Sequence, residues 1–156
     1  MANWGKSVVL GLLHRESGEV RAKVASNRNK KLVHENLKAN LAPGSTLYTD
    51  DFNAYMDLKP EFAHAVVNHL EQYVNGRVHT NGMENFWSLL KRTIGGTYVS
   101  VDPFHLFRYL DEQCFRFNKR RLTDAERFVI VLAQTIGRRI TYDELTGKLD
   151  TPLVQA

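Results

Sequence analysis

The stretch from Lys6 to Ala25 limits what this chain can fold into more than any other. Lys6 to His14 (KSVVLGLLH) is apolar and rich in β-branched residues, the composition of a strand. Glu16-Ser17-Gly18-Glu19 is a turn cluster, and Val20 to Ala25 (VRAKVA) then alternates apolar and basic residues with period two. Alternation of that kind turns one face of a strand inward and the other towards water. The two runs read as an antiparallel hairpin whose second strand is half exposed.

Beyond the hairpin, helix alternates with strand. Asn27 to Asn29 is polar and caps a helix expected from Lys30 to Asn40, with Leu32, Val33, Leu37 and Leu41 on one apolar stripe. Pro43-Gly44-Ser45 is a turn, and Thr46 to Thr49 is a short buried strand with Asp50 at its end. Asp51 to Leu58 reads as a short helix stopped by Pro60, Ala63 to Asn68 as another strand, and Glu71 to Thr80 as loop. From Gly82 the period becomes helical. Met83, Phe86, Leu90 and Ile94 share a stripe; Glu84, Ser88 and Lys91 share a different face; Gly95-Gly96 ends the helix. Asp102-Pro103 opens a further helix to about Arg121, expected to bury Phe104, Leu106 or Phe107, Leu110, Cys114 and Phe117. TDAE at Thr123 is a capping box for a helix carrying Phe128, Val129, Val131, Leu132 and Ile136, and TYDEL at Thr141 starts a last short one. This order predicts an α/β fold with a mixed sheet and a helical C-terminal part, in one domain over residues 1–156.

Composition excludes several classes. Cys114 is the only cysteine, so neither an internal disulfide framework nor a cysteine zinc cluster can form, and its place in an apolar run marks a buried small hydrophobe. No apolar run approaches the roughly 20 residues of a membrane helix, and MANWGKSVVLGLLHR lacks the layout of a secretory signal. A cytoplasmic protein is expected. The net charge of +4 is a mild lean towards polyanions.

Two carboxylates carry the chemistry. Asp50 follows a strand, where α/β sheets place ligands; Asp50 or Asp51 also suits a helix cap. Glu84 stands in a helix's first turn, where the helix dipole favours negative charge in any case. Asn81 is a cap candidate, and Lys91 on the face of Glu84 is either a phosphate contact or a solvated lysine. Arg92, Arg108, Arg116, Lys119, Arg120, Arg121 and the pair Arg138-Arg139 supply late positive charge. They serve phosphate contact or the helix C-termini. His64, His69 and His79 are spaced unlike any compact metal-ligand motif.

Taken together, TDDFNAY, HTNGMENFWSLLKRTIGGTY and HLFRYLDEQCFRFNKR resemble the DDE transposases of bacterial insertion sequences, in the ISXO2-like branch. The resemblance runs from roughly Lys6 to Arg121. It implies an RNase H-like fold, a mixed sheet flanked by helices. It also implies three carboxylates holding two Mg²⁺ or Mn²⁺ ions that serve DNA cleavage and strand transfer. Hard cations take oxygen ligands, in keeping with carboxylates rather than thiols. By resemblance Asp50 is the second aspartate, Glu84 the final acid and Lys91 a DNA phosphate contact, while Asn81 positions Glu84 or water. Arg92, Arg116 and Lys119 are further DNA-contact candidates.

The family's first aspartate stands on a strand ahead of the hairpin, but Met1 to Gly5 (MANWG) contains no acid. The expectation is therefore a domain lacking its first strand and first catalytic aspartate, with weak metal binding and little strand transfer by this chain alone. DNA is the expected partner, with a second copy or a full-length transposase beside it. Two rivals stand: a non-catalytic DNA-binding or transposase-interacting fragment acting as an inhibitor, and an unrelated α/β protein in which Asp50 and Glu84 lie far apart.

Overall fold

The structure is a computed structural model, and it describes residues 7–26, 29–49, 62–66 and 81–147, with the backbone alone for 63–66. The chain divides into two compact units, Met1–Phe117 and Asn118–Ala156.

In the first unit, β1 (Val8–His14) pairs antiparallel with β2 (Glu19–Ala25), in a register that sets Gly11 opposite Ala22 and Leu13 opposite Val20. The turn between them closes where His14 Nδ1 and Ser17 Oγ lie 2.8 Å apart and Gly18 takes φ 69°. Both faces of this hairpin are used. On one, Val9, Leu13, Val20, Ala22 and Val24 pack with Phe86, Leu90, Leu110 and Phe117. On the other, Leu12 packs against Val33, Leu37, Leu47 and Phe62. The period-two pattern of VRAKVA holds from Val20 to Val24: Val20 is buried and Ala22 and Val24 are half-buried, while Arg21 and Lys23 on the other face are exposed; Ala25, on that second face, is buried in its turn.

The second face is covered by α1 (Lys30–Asn40), whose bounds match those expected. Asn29 Oδ1 accepts from the Lys31 amide at 3.0 Å and fixes the start, as an N-cap should. Arg21 Nη1 donates to Asn40 Oδ1 at 3.1 Å and ties the end of α1 to β2. After the Pro43-Gly44 turn, β3 (Thr46–Thr49) pairs in parallel with β4 (Ala63–Val66). Among the described residues the strands form two separate two-stranded ladders, one antiparallel and one parallel. The fold is thus mixed α/β, of a kind compatible with an RNase H-like transposase domain. The expected helix at Asp51–Leu58 and loop at Glu71–Thr80 lie outside the described residues.

The first face is covered by α2 (Asn81–Arg92) and α3 (Leu106–Asn118). Phe86 is fully buried and meets Phe117 edge-on at 5.5 Å and 89°. The expected stop at Gly95-Gly96 is instead a widened turn: α2 ends at Arg92 and runs into a π-helical turn, Thr93–Thr97. Asp102 caps the next turn by accepting from the Phe104 amide at 2.9 Å, with Pro103 first in it as expected. That turn, Pro103–His105, is 3₁₀, and it corrects one core assignment. Phe104 lies ahead of α3 rather than on its inward face and is 46% exposed. Gln113 is the residue α3 buries beside Leu110 and Phe117, and it accepts from Thr93 Oγ1 at 3.4 Å. Cys114 is partly buried against the core, and burial pushes its thiol pKa up.

The second unit contains α4 (Asp124–Thr135) and α5 (Tyr142–Thr146). Both start in complete capping boxes. Glu126 Oε2 accepts from the Thr123 amide at 2.7 Å, and Glu144 Oε2 from the Thr141 amide at 2.6 Å. Gly147 ends α5 in the left-handed region at φ 70°. No helix among the described residues is long and apolar enough to cross a membrane.

Candidate functional site

The site is built on α2. Its apolar stripe seals it to the core and so fixes which way its polar face points. Met83, Phe86, Leu90 and Ile94 belong to the first core cluster, while Glu84, Ser88 and Lys91 are all exposed. Arg92 is exposed beside Lys91 in the last turn. An acid thus stands at the helix's positive end and two cations at its negative end, the arrangement the dipole favours.

Two glycines set how closely α2 lies on the hairpin. A Cβ added at Gly11 would stand 2.5 Å from Met83 Cε and 2.6 Å from Trp87 Cζ2. One added at Gly82 would run into Leu13 Cδ2. The missing side chains let Met83 and Trp87 of α2 seat against the β1 backbone, and Leu13 of β1 against the start of α2, within three residues of Glu84.

Of the residues singled out from the sequence, Asn81 is exposed and is the first residue of α2, not its cap; the residue before it, Thr80, lies outside the described residues. Asp50, which comes after the last residue of β3, lies outside them too, so its separation from Glu84 is not described. Thr49 before it is buried. Arg116 stands on α3 and pairs with Glu112 one turn back at 2.8 Å, its side chain 61% exposed. Lys119 falls just beyond α3, in the second unit.

A polar cluster beside α2 escapes sequence reasoning. The Tyr98 hydroxyl donates to Glu112 Oε2 at 2.7 Å, and Arg116 Nε donates to Glu112 Oε1 at 2.9 Å. The hydrogen bond to Glu112 and burial raise the Tyr98 pKa. Only half of this is legible: Glu112 and Arg116 are spaced i,i+4, a helix ion pair, but nothing local places Tyr98 against them.

As a metal donor set, Glu84 offers exposed carboxylate oxygen, which suits a hard divalent cation. Among the described residues no three His, Cys, Asp or Glu side chains group together around a common point. The acids of the hairpin do not fill that role: β1 carries none, and Glu16 and Glu19 are exposed at its turn.

The family model of the ISXO2-like transposase domain matches residues 2–118. The chain belongs to that family. The match covers both ladders, α1, α2 and α3, and stops within one residue of the end of the first unit. Membership in a transposase family associates the chain with DNA transposition, with DNA as partner and with the divalent metal use general to DDE transposases. No curated protein matches the chain.

Proposed function

We propose that Asp50 and Glu84 are two of the carboxylate ligands of a DDE transposase site, and that Lys91 and Arg92 hold the DNA backbone next to it. The observation that carries this reading is the α2 surface: Glu84 exposed at one end, Lys91 and Arg92 exposed at the other, on a helix locked to the hairpin inside the matched segment. Mg²⁺ or Mn²⁺ bound there would supply activation of the attacking oxygen and stabilisation of the leaving one. The chain's own contribution is placement. Glu84 presents oxygen donors from a rigid helix, Asn81 orients Glu84 or a water molecule from the same turn, and Lys91 and Arg92 neutralise phosphate charge. Arg116, held by Glu112, and Lys119 extend the phosphate contacts. Two carboxylates alone hold a divalent cation weakly, so little or no strand transfer is expected of this chain alone.

The test has two parts. Mn²⁺ titration followed by electron paramagnetic resonance gives one weak site in the wild type, and Asp50→Asn or Glu84→Gln weakens it at least about tenfold. Unchanged Mn²⁺ affinity in both variants removes the reading. In a nicking assay on DNA bearing transposon ends, little cleavage is expected. Robust cleavage abolished by Asp50→Ala would show that the site is complete.

A second reading, a non-catalytic DNA-binding or transposase-interacting fragment that acts as an inhibitor, is favoured by the exposed cations Lys91 and Arg92, which can meet phosphate without a metal. It predicts salt-sensitive DNA binding with no turnover in Mg²⁺.

A further inference from the structure

The positive charge of this chain is not spread evenly along it. Between Val20 and Leu41, six cations (Arg21, Lys23, Arg28, Lys30, Lys31 and Lys38) stand against a single acid, Glu35, a net charge of +5. The whole chain carries only +4, so all its other residues together are net negative. Arg28 lies outside the described residues; the other five cations belong to β2 and α1. α1 covers one face of the hairpin and α2 the other, so this excess is set apart from the α2 site.

On α1 the cations stand where they do not stabilise the helix. Lys38 in the last turn suits the helix dipole, but Lys30 and Lys31 occupy the first turn, at the dipole's positive end, and that turn holds no acid. α2, α4 and α5 each place acids there. Lys30, His34 and Lys38 form a row at i, i+4, i+8 along one flank, and with Lys31 they line one open hollow. Glu35, also on its rim, meets Lys31 only at 4.0 Å, with the two side chains 62% and 82% exposed. A surface pair of that kind neutralises little. Cations elsewhere are matched more closely, Arg116 by Glu112 at 2.8 Å and Arg127 by Asp124. Charge placed against local helix stability is what functional surfaces show.

We propose that the flank of α1 carrying Lys30, Lys31, His34 and Lys38 is a second phosphate-binding surface for duplex DNA, independent of base sequence and separate from the α2 site. The row rises about 12 Å from Lys30 to Lys38, the axial length of about three to four phosphates on one strand. Ammonium groups on flexible stems meet phosphate as point charges, which fixes position without reading bases. Arg21, bonded to Asn40, and Lys23, beside Leu32 and Asn36, stand along the other flank of α1 and add to the field that draws a polyanion to this side. A straight duplex seated on α1 does not reach α2 across the hairpin, so the α1 surface takes a separate DNA segment. The inference shares its partner, DNA, with the transposase reading and shares none of its residues.

Fluorescence anisotropy of the full chain with a short labelled duplex of arbitrary sequence, in EDTA and over a range of salt concentrations, tests it. The chain carrying Lys30→Gln, Lys31→Gln and Lys38→Gln is expected to bind at least about tenfold more weakly at low salt, with the slope of log affinity against log salt flattened by about 2–3. The same chain keeps wild-type Mn²⁺ affinity and unfolds in urea at the wild-type midpoint or above it, because cations have left the positive end of a helix. Flattening by the same amount is expected when Lys91→Gln and Arg92→Gln are already present, since the two surfaces act separately. An unchanged salt slope overturns the proposal, whatever the Mn²⁺ titration gives. If the triple variant loses helicity by circular dichroism, Lys31→Gln with Lys38→Gln, both at exposed positions, is the second probe. It flattens the slope by about 2, and no flattening overturns the proposal. Duplex RNA bound at least about tenfold more tightly than DNA overturns the choice of ligand.

Discussion

The helices α2 and α4 are the same length and carry the same kind of apolar stripe, yet they end in opposite circumstances. The stripe of α2 is sealed against the hairpin and α3, with Phe86 at 0% exposure. The stripe of α4 is open, with Phe128 at 66%. Periodicity fixes which face of a helix is apolar. It does not fix whether another part of the same chain covers that face. In α2 the cover is already in the sequence, as the complementary apolar face of VVLGLLH and VRAKVA. The α4 stripe is held up instead by local devices, a capping box at its start and an ion pair between Arg127 and Asp124 in its first turn.

The contrast is broken most directly at its two phenylalanines. Phe86→Ala opens a cavity under the α2 stripe and costs about 3–5 kcal/mol, read by urea denaturation of the first unit. Phe128→Ala in dilute protein stays within about 0.5 kcal/mol of wild type. Equal losses would mean that the α4 stripe is covered in solution within a single chain.

A smaller effect is expected where α2 touches the strand. Gly11→Ala drives a methyl group into Met83 and the Trp87 ring and costs about 1–3 kcal/mol, as overpacking does. It also moves Glu84, so Mn²⁺ affinity falls along with the denaturation midpoint. A stable Gly11→Ala protein with wild-type Mn²⁺ affinity would uncouple the glycine contact from the site.

The smallest effect sharpens the contrast from the α4 side. Amide and hydroxyl hydrogen bonds from Thr123 and Thr141 hold Glu126 and Glu144 below the ordinary glutamate range. Both carboxyls bind their protons less readily in the folded unit than in the unfolded chain. Their contribution is therefore complete above the unfolded value of about 4.3 and is lost as pH falls through the lowered folded values. Helicity measured by circular dichroism declines over that acid range, and Thr123→Val with Thr141→Val flattens the decline.

These cases also show what is readable from sequence. Asn29, the Leu37 stripe and both capping boxes are local signals, and α1, α4 and α5 start where those signals stand. The α2 face is readable for the same reason: seven residues make almost two turns, so Glu84 and Lys91 have to share a side. Phe104 is misplaced by sequence reasoning because Asp102-Pro103 marks a helix start without saying that its first turn is 3₁₀. The Tyr98–Glu112 bond joins two elements through a turn whose width has no local signature. The family motif carries the site assignment, since Asp50 and Glu84 are ordinary acids until the segments around them are taken jointly.

That turn has a consequence for how such a chain can vary. A π turn holds one residue more than an α turn, and Thr93–Thr97 uses it to bring Tyr98 round to α3, where its ring meets Tyr109 edge-on at 4.6 Å. Removing one residue would swing the tyrosine by about 100° around the helix axis and break its hold on Glu112. Gly95 and Gly96, by contrast, both have open space where a Cβ would stand, and neither takes positive φ. Selection here would act on the count of residues rather than on their kind: alanines in place of the glycines are tolerated, and a single deletion is not.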